Sequence, residues 1–296
     1  MDTKSYSNLF TNTGGSFTGT PQLDKYYSWY TEEDDEWKGL RFTAEEDDAP
    51  ISYTVVGTIP NIGLQYSKNG NVWNTWNPDE VITLKENEYI DVRNTIDTLS
   101  LSDNNFIKFV ITEKKIAASG RLLDLFPSTA TSVPAYGCFW LFNNCTKLTH
   151  APTIDNDKIP ELGSSCFYGM FIDCISLTEA PELPHTTVLS SAYAQMFSGC
   201  TNLQKAPSVL PAVTLDQAFE YSRMFEGCTS LVKPPVILCE TVGFTSMGEM
   251  FQECTSLKEA PRLNVTTFNR SSFRNMFFGC SSLKNINSSD EWLLRE

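Results

Sequence analysis

Two rhythms of apolar residues divide this chain. From about Trp37 to Glu113, apolar and polar residues alternate in short runs such as Leu40-Arg41-Phe42-Thr43-Ala44 and Ile51-Ser52-Tyr53-Thr54-Val55. A period of two turns one face of a strand inward and the other outward, so these runs predict strands. Further strands are expected at Val81 to Leu84, Tyr89 to Arg93 and Phe106 to Thr112. After Leu64-Gln65-Tyr66, the pair Asn69-Gly70 signals a hairpin because both residues tolerate positive φ. Short strands at this density predict a small β-sandwich over residues 37–114.

The second rhythm is longer. Six triplets of Phe, Cys and Leu, each spaced by three, run from Phe142/Cys145/Leu148 through Phe171/Cys174/Leu177, Phe197/Cys200/Leu203, Phe225/Cys228/Leu231 and Phe251/Cys254/Leu257 to Phe277/Cys280/Leu283. Successive cysteines are 29, 26, 28, 26 and 26 residues apart. A fixed period in this range predicts stacked units, each burying its apolar face only against its neighbours. Within Tyr193-Ala194-Gln195-Met196-Phe197-Ser198-Gly199-Cys200, apolar residues fall at i, i+3, i+4 and i+7, which predicts a short helix packed inward. Gly199, Gly227 and Gly279 precede the ladder cysteine, where such a helix would end through positive φ. Stretches such as Leu177 to Leu183 then read as parallel strands, kept short or bent by the column Pro152, Pro181, Pro207, Pro235 and Pro261. The expected fold class is therefore mixed α/β and multidomain: the sandwich, then a leucine-rich-repeat-like solenoid of about six repeats over 138–287.

Stacked units need covered ends. Residues 115–137, with Leu122, Leu123, Leu125 and Phe126, read as a degenerate capping unit, and 288–296, with Trp292, Leu293 and Leu294, as a C-terminal cap. Residues 1–36 are polar, carry the aromatic cluster Tyr26, Tyr27, Trp29 and Tyr30, and end in Glu32-Glu33-Asp34-Asp35-Glu36. Such a segment would not fold alone, so it reads as an arm that packs on the next domain or docks to a partner or sister subunit.

Composition narrows the function classes. A net charge of −14 argues against a nucleic-acid partner, which needs clustered Lys and Arg, and against anionic membranes. No apolar run is long enough to span a bilayer, and the stretch from Met1 to Ser7 lacks the apolar core of a secretion signal. Six of the nine cysteines share one column of the repeat, which suits small buried thiols; pairing between neighbouring coils is the alternative. There is no zinc-like Cys/His spacing, and no cofactor is expected. The acidic clusters 32–36 and Glu45-Glu46-Asp47-Asp48 lack the spacing of a calcium loop and read as solvated loops. The columns supply Leu, Phe, Met, Cys and Pro rather than converging acids, bases or nucleophiles, so the chain reads as non-enzymatic.

Two sets of residues are candidates for binding. The column two residues after each Leu reads His150, Glu179, Lys205, Lys233 and Glu259, either a ladder of surface ion pairs or a binding stripe. Trp73 and Trp76 flank the hairpin, where exposed rings would stack on a sugar or a protein and buried ones would pack.

The triplets, over roughly residues 120–287, resemble the BspA-like branch of the leucine-rich repeat proteins, with Met-Phe replacing Ala-Phe before the Cys. Leu40-Arg41-Phe42-Thr43-Ala44, Tyr66-Ser67-Lys68-Asn69-Gly70 and Lys115-Ile116-Ala117-Ala118-Ser119-Gly120 are similar to the β-domain often joined to such repeats. The resemblance implies a surface protein of gut bacteria or a structural protein of their tailed phages. On this basis the expected function is a virion structural protein of head, tail-fibre or decoration type, presenting the repeats for host adhesion or subunit contacts. Its partners would be other virion proteins or sister subunits through the arm, in a homo-oligomer such as a trimer, with a host protein or glycan on the repeats. The alternatives are a bacterial surface or secreted adhesin and a carbohydrate-binding protein.

Overall fold

The computed structural model describes residues 39–68, 70–96, 99–155, 157, 159–269 and 271–284. The expected arm at 1–36 and C-terminal cap at 288–296 lie outside the described residues.

Period-two patterning produces the strands it predicts. β1 (Arg41–Ala44), β2 (Ala49–Val56), β3 (Leu64–Ser67), β4 (Asn74–Thr75), β5 (Ile82–Leu84), β6 (Tyr89–Asn94), β7 (Phe106–Val110) and β8 (Ile116–Ser119) form two antiparallel sheets, ordered β4-β3-β6-β1-β8 and β5-β2-β7. Phe42 and Ala44 of β1 and Ala49, Ile51 and Tyr53 of β2 are buried at alternate positions. The sheets meet through rings: Phe42 of the first lies edge-on to Phe109 of the second, centroids 4.9 Å apart. The Asn-Gly signal does mark a hairpin, β3–β4, paired Gln65 with Thr75 and Tyr66 with Asn74.

The β-domain is continuous with the repeats. Phe109 stands 5.3 Å from Phe142, the first phenylalanine of the repeat, and its carbonyl accepts the Cys145 thiol at 3.2 Å. The Phe109 N–H donates to Leu141 O at 2.8 Å, and Lys147 N–H to Ile111 O at 3.0 Å. β7 therefore seals the first coil. β8, within the stretch expected to cap the repeats, pairs with β1 while Ile116 bridges Leu148 in parallel. Leu122–Leu125 forms a 3₁₀ turn whose three leucines are buried.

The expected mixed α/β class is wrong. Among the described residues there is no α-helix, only this 3₁₀ turn, and the short sheets do not close into a solenoid. The segment read as a helix is a flat ribbon of successive turns. In the coil from Ser191 to Cys200, φ is positive every fourth residue, at Ser191 (55°), Gln195 (56°) and Gly199 (73°). Met196, Ser198 and Cys200 donate their N–H three residues back, to Tyr193 O at 3.3 Å, Gln195 O at 3.0 Å and Phe197 O at 3.1 Å. The residues between them donate to the next coil: Tyr193 to Glu220 O at 3.1 Å, Gln195 to Ser222 O at 2.9 Å and Phe197 to Met224 O at 2.9 Å. An α-helix would satisfy the donors beyond its first turn, Gln195 and Phe197 among them, internally.

The physical reason lies in spacing. A turn ribbon of period four and a helix of period 3.6 both place i, i+3, i+4 and i+7 on one face, so the apolar pattern cannot separate them. Helices pack about 8–10 Å apart, whereas the stacked rings Phe142, Phe171, Phe197, Phe225, Phe251 and Phe277 follow one another at 5.2, 5.5, 5.7, 5.5 and 5.8 Å. Only a flat chain fits that rise, which is close to strand spacing of about 4.8 Å. The position before each ladder cysteine is Asn144, Asp173, Gly199, Gly227, Glu253 and Gly279, all at positive φ. Five of these six are the residue types that tolerate the left-handed region best.

The ladder cysteines have a definite role. Thiols of Cys145, Cys174, Cys200, Cys228, Cys254 and Cys280 donate to the carbonyls of Phe109, Phe142, Phe171, Phe197, Phe225 and Phe251 of the preceding layer, at 3.0–3.2 Å. All nine cysteines are free thiols. On the opposite edge, two-residue strands pair in parallel: β9 (Ser132–Val133) with β10 (Glu161–Leu162), β11 (Val209–Leu210) with β13 (Val236–Ile237), and β12 (Thr214–Leu215) with β14 (Thr241–Val242) and β15 (Thr267–Phe268). The strands expected along the proline column are largely absent: Leu177–Leu183 forms only the isolated parallel bridge of Glu179 with Lys205, since each proline withholds a backbone donor.

Candidate functional site

The column His150, Glu179, Lys205, Lys233 and Glu259 is exposed throughout. Within it one pair meets, Glu179 with Lys205, rather than several residues around a common point. Glu179 and Lys205 bridge in parallel and form an ion pair. His150 turns to the β-domain, its Nδ1 3.5 Å from Oε1 of Glu45, which also accepts the Thr149 hydroxyl at 3.0 Å. Such exposed contacts contribute about 0–1 kcal/mol and leave no shaped recess.

Trp76 is core. It is 1 % exposed, its Nε1 donates to Glu80 O at 3.0 Å, its carbonyl accepts the Tyr53 hydroxyl at 2.7 Å, and its ring meets Tyr53, Tyr66 and Phe109. It has no face to offer a sugar, which corrects that expectation. Trp76→Ala is expected to cost about 3–5 kcal/mol, read as a lowered urea midpoint; an unchanged midpoint would refute the packing role. Trp73 is half-buried and carries the Arg93 guanidinium 4.2 Å over its ring, while Arg93 Nε donates to Gln65 Oε1 at 2.8 Å. Tyr26, Tyr27, Trp29 and Tyr30 lie outside the described residues.

The acidic loop at 45–48 serves the fold. Glu46 Oε2 accepts Lys115 N–H at 3.3 Å and Asp47 Oδ1 accepts Glu86 N–H at 3.1 Å. Among the described residues no three His, Cys, Asp or Glu side chains gather as a metal site would require. The second histidine, His185, is 1 % exposed; Nε2–H donates to Ile159 O at 3.1 Å and Nδ1 accepts the Tyr193 hydroxyl at 3.1 Å. A carbonyl can only accept, so the neutral ring carries its proton on Nε2, and burial lowers its pKa.

A recess absent from the sequence-based candidates crosses the turn ribbons. It is a trough of about 500 Å³. Its origin is one column, Phe139, Tyr168, Ala194, Ser222, Gly248 and Arg274, spaced in phase with the cysteines. Phe139 and Tyr168 stack at 5.2 Å and fill this position in the first two coils. Ala194 and Ser222 are too small to continue the stack, and in the next coil Thr245 covers Gly248, so the surface sinks between Tyr168 and Arg274. The signal was in the sequence, as a large-to-small change within a repeat column.

The walls are ordered by their own contacts. Phe219 and Phe244 meet edge-to-face at 5.7 Å and remain 40 % and 55 % exposed. Gln195 Nε2 donates to the Tyr168 hydroxyl at 2.6 Å, and Arg223 is ion-paired with Glu249. Partial burial works against charge on Arg223, but the hydrogen bond and charge of Glu249 prevail and hold its pKa above the ordinary value. Desolvation raises the Tyr168 phenol, so it stays protonated at neutral pH. The trough thus combines aromatic surface with planar polar groups held in place.

Comparison with protein-family models, with curated proteins and with solved structures finds no match to this chain.

Proposed function

We propose that this is a non-enzymatic binding protein that uses its stacked repeats as a rigid lateral surface. More particularly, it is a structural protein of a phage virion, of fibre or decoration type, with the arm at 1–36 attaching it to other virion proteins or to sister subunits. The observation that carries the binding role is the trough: a recess with fixed aromatic and polar walls across the stacked coils. The assignment to a virion rests on the resemblance of the Phe/Cys/Leu triplets and their joined β-domain to such proteins, and the lateral surface serves host adhesion or subunit contact.

Mass spectrometry of purified phage particles tests the assignment. Peptides of this chain at a copy number comparable to other structural proteins are the expected result. Recovery only in the bacterial envelope or medium would replace it with a bacterial surface adhesin. Deleting residues 1–36 is expected to abolish particle association and leave a folded remainder, since residues 37–296 form their own compact unit. Association at the wild-type level would refute the anchoring role.

A further inference from the structure

We infer that the trough binds a linear oligosaccharide with a carboxylate on one of its sugars. This deepens the reading of the repeats as a binding surface and rests on it. Three observations converge on that ligand class.

The first is register. Each coil advances by the spacing of its stacked phenylalanines, 5.2–5.8 Å, and the lining residues Ala194, Ser222 and Thr245 belong to three successive coils. A pyranose ring in an extended, equatorially linked chain is about as long as one coil is thick. Successive sugars would therefore meet successive coils in equivalent positions. An extended peptide faces a side chain to one surface every two residues, about 6.6 Å, which outruns the coils by about 1 Å at each step.

The second is chemistry. Sugars present apolar C–H faces and hydroxyl edges, and the trough supplies both complements. Phe219 and Phe244 expose aromatic surface along one wall. Gln195 and the Arg223–Glu249 pair line the other, with donors and acceptors fixed in planar groups that can each engage two hydroxyls. Because these side chains are already held by Tyr168 and by one another, little conformational entropy remains to be lost on binding.

The third is charge. The chain carries −14 overall, yet the charged residues lining this recess are Arg223, Glu249 and Arg274, a local excess of one positive charge. Glu249 is engaged with Arg223, and Arg274 is exposed at the end of the trough. A planar guanidinium at that end suits a carboxylate, which it can take in bidentate fashion.

The test uses the full-length chain with two probes, β-1,4-linked trimannuronate and neutral cellotriose, titrated by calorimetry with ligand-observed NMR. The expected result is saturable binding of trimannuronate that Arg274→Gln weakens about tenfold, with the weaker binding of cellotriose unchanged. Ser222→Tyr is expected to abolish binding of both. It restores the ring that Tyr168 places in the same column, and its melting temperature verifies that the variant is folded. Phe244→Ala, a change at an exposed position, is expected to weaken both sugars and serves if Ser222→Tyr does not fold. No binding of either sugar by the wild-type chain, or wild-type binding by both the filled-trough and Phe244 variants, overturns the inference. Equal binding of tri-glutamate would overturn it too, by showing that charge alone is read. Particle association is measured independently, so a chain present in virions that binds neither sugar refutes the ligand and leaves the virion reading intact.

Discussion

Raising the pH above about 9 is expected to unfold this protein steeply, because its core holds eight fully buried thiols. Burial is the leading cause at each of them. It pushes Cys145 and Cys239 up to about 12, and Cys138, Cys166, Cys174, Cys200, Cys228 and Cys254 well above the ordinary thiol value. In the unfolded chain each thiol ionises near its ordinary value of about 8.5–9, whereas in the folded chain it keeps its proton. Between those two values the unfolded state binds fewer protons, so stability falls as pH rises. The contribution is fully present below the ordinary value and is lost as pH climbs through the folded one.

Each thiol costs about 1.4 kcal/mol per pH unit in that window. Eight together reach roughly 10 kcal/mol, comparable with the whole stability of a typical domain at about 5–15 kcal/mol. Urea midpoints measured under reducing conditions from about pH 7.5 to about pH 10 should drop sharply above the thiol range, and Cys200→Ala should make the drop shallower. A midpoint that stays level across the range would contradict this account of the core.

The second large effect concerns the ring ladder. Phe197 is fully buried and stacks on Phe171 at 5.5 Å and on Phe225 at 5.7 Å, with interplanar angles of 4° and 7°. Phe197→Ala removes contacts on both sides, and the neighbouring coils, held by backbone bonds through Phe197 and Met224, cannot collapse into the space. A loss of about 3–5 kcal/mol is expected from equilibrium unfolding. Phe277 is 8 % exposed and stacks on Phe251 alone among the described rings, so Phe277→Ala should cost distinctly less. Equal losses would mean that the coils do not act as a stack with nearest-neighbour coupling.

The two halves were not equally legible. In the β-domain, alternation along Arg41–Ala44 and Ala49–Val56 corresponds to one buried face per strand, and the hairpin signal lies where β3 turns into β4. Trp76 escaped the pattern: it lies just past the two-residue strand β4, and its burial comes from Tyr53 and Phe109, distant in the chain. The trough was legible in principle in the column from Phe139 to Arg274.

By itself, the sequence determined the repeat, its phase, the columns that would be buried and, at Gly199, Gly227 and Gly279, where the backbone would take positive φ. Those follow from spacing and residue type, which are local properties. Whether the ribbon is a helix or a string of turns was decided only by the tertiary structure. Both conformations bury the same faces, and the difference rests on where the N–H groups of residues such as Tyr193, Gln195 and Phe197 find their acceptors. Those acceptors belong to the neighbouring coil, at a rise too short for helices to pack. The same stacking brings Ala194 and Ser222, 28 residues apart in sequence, onto the floor of one trough.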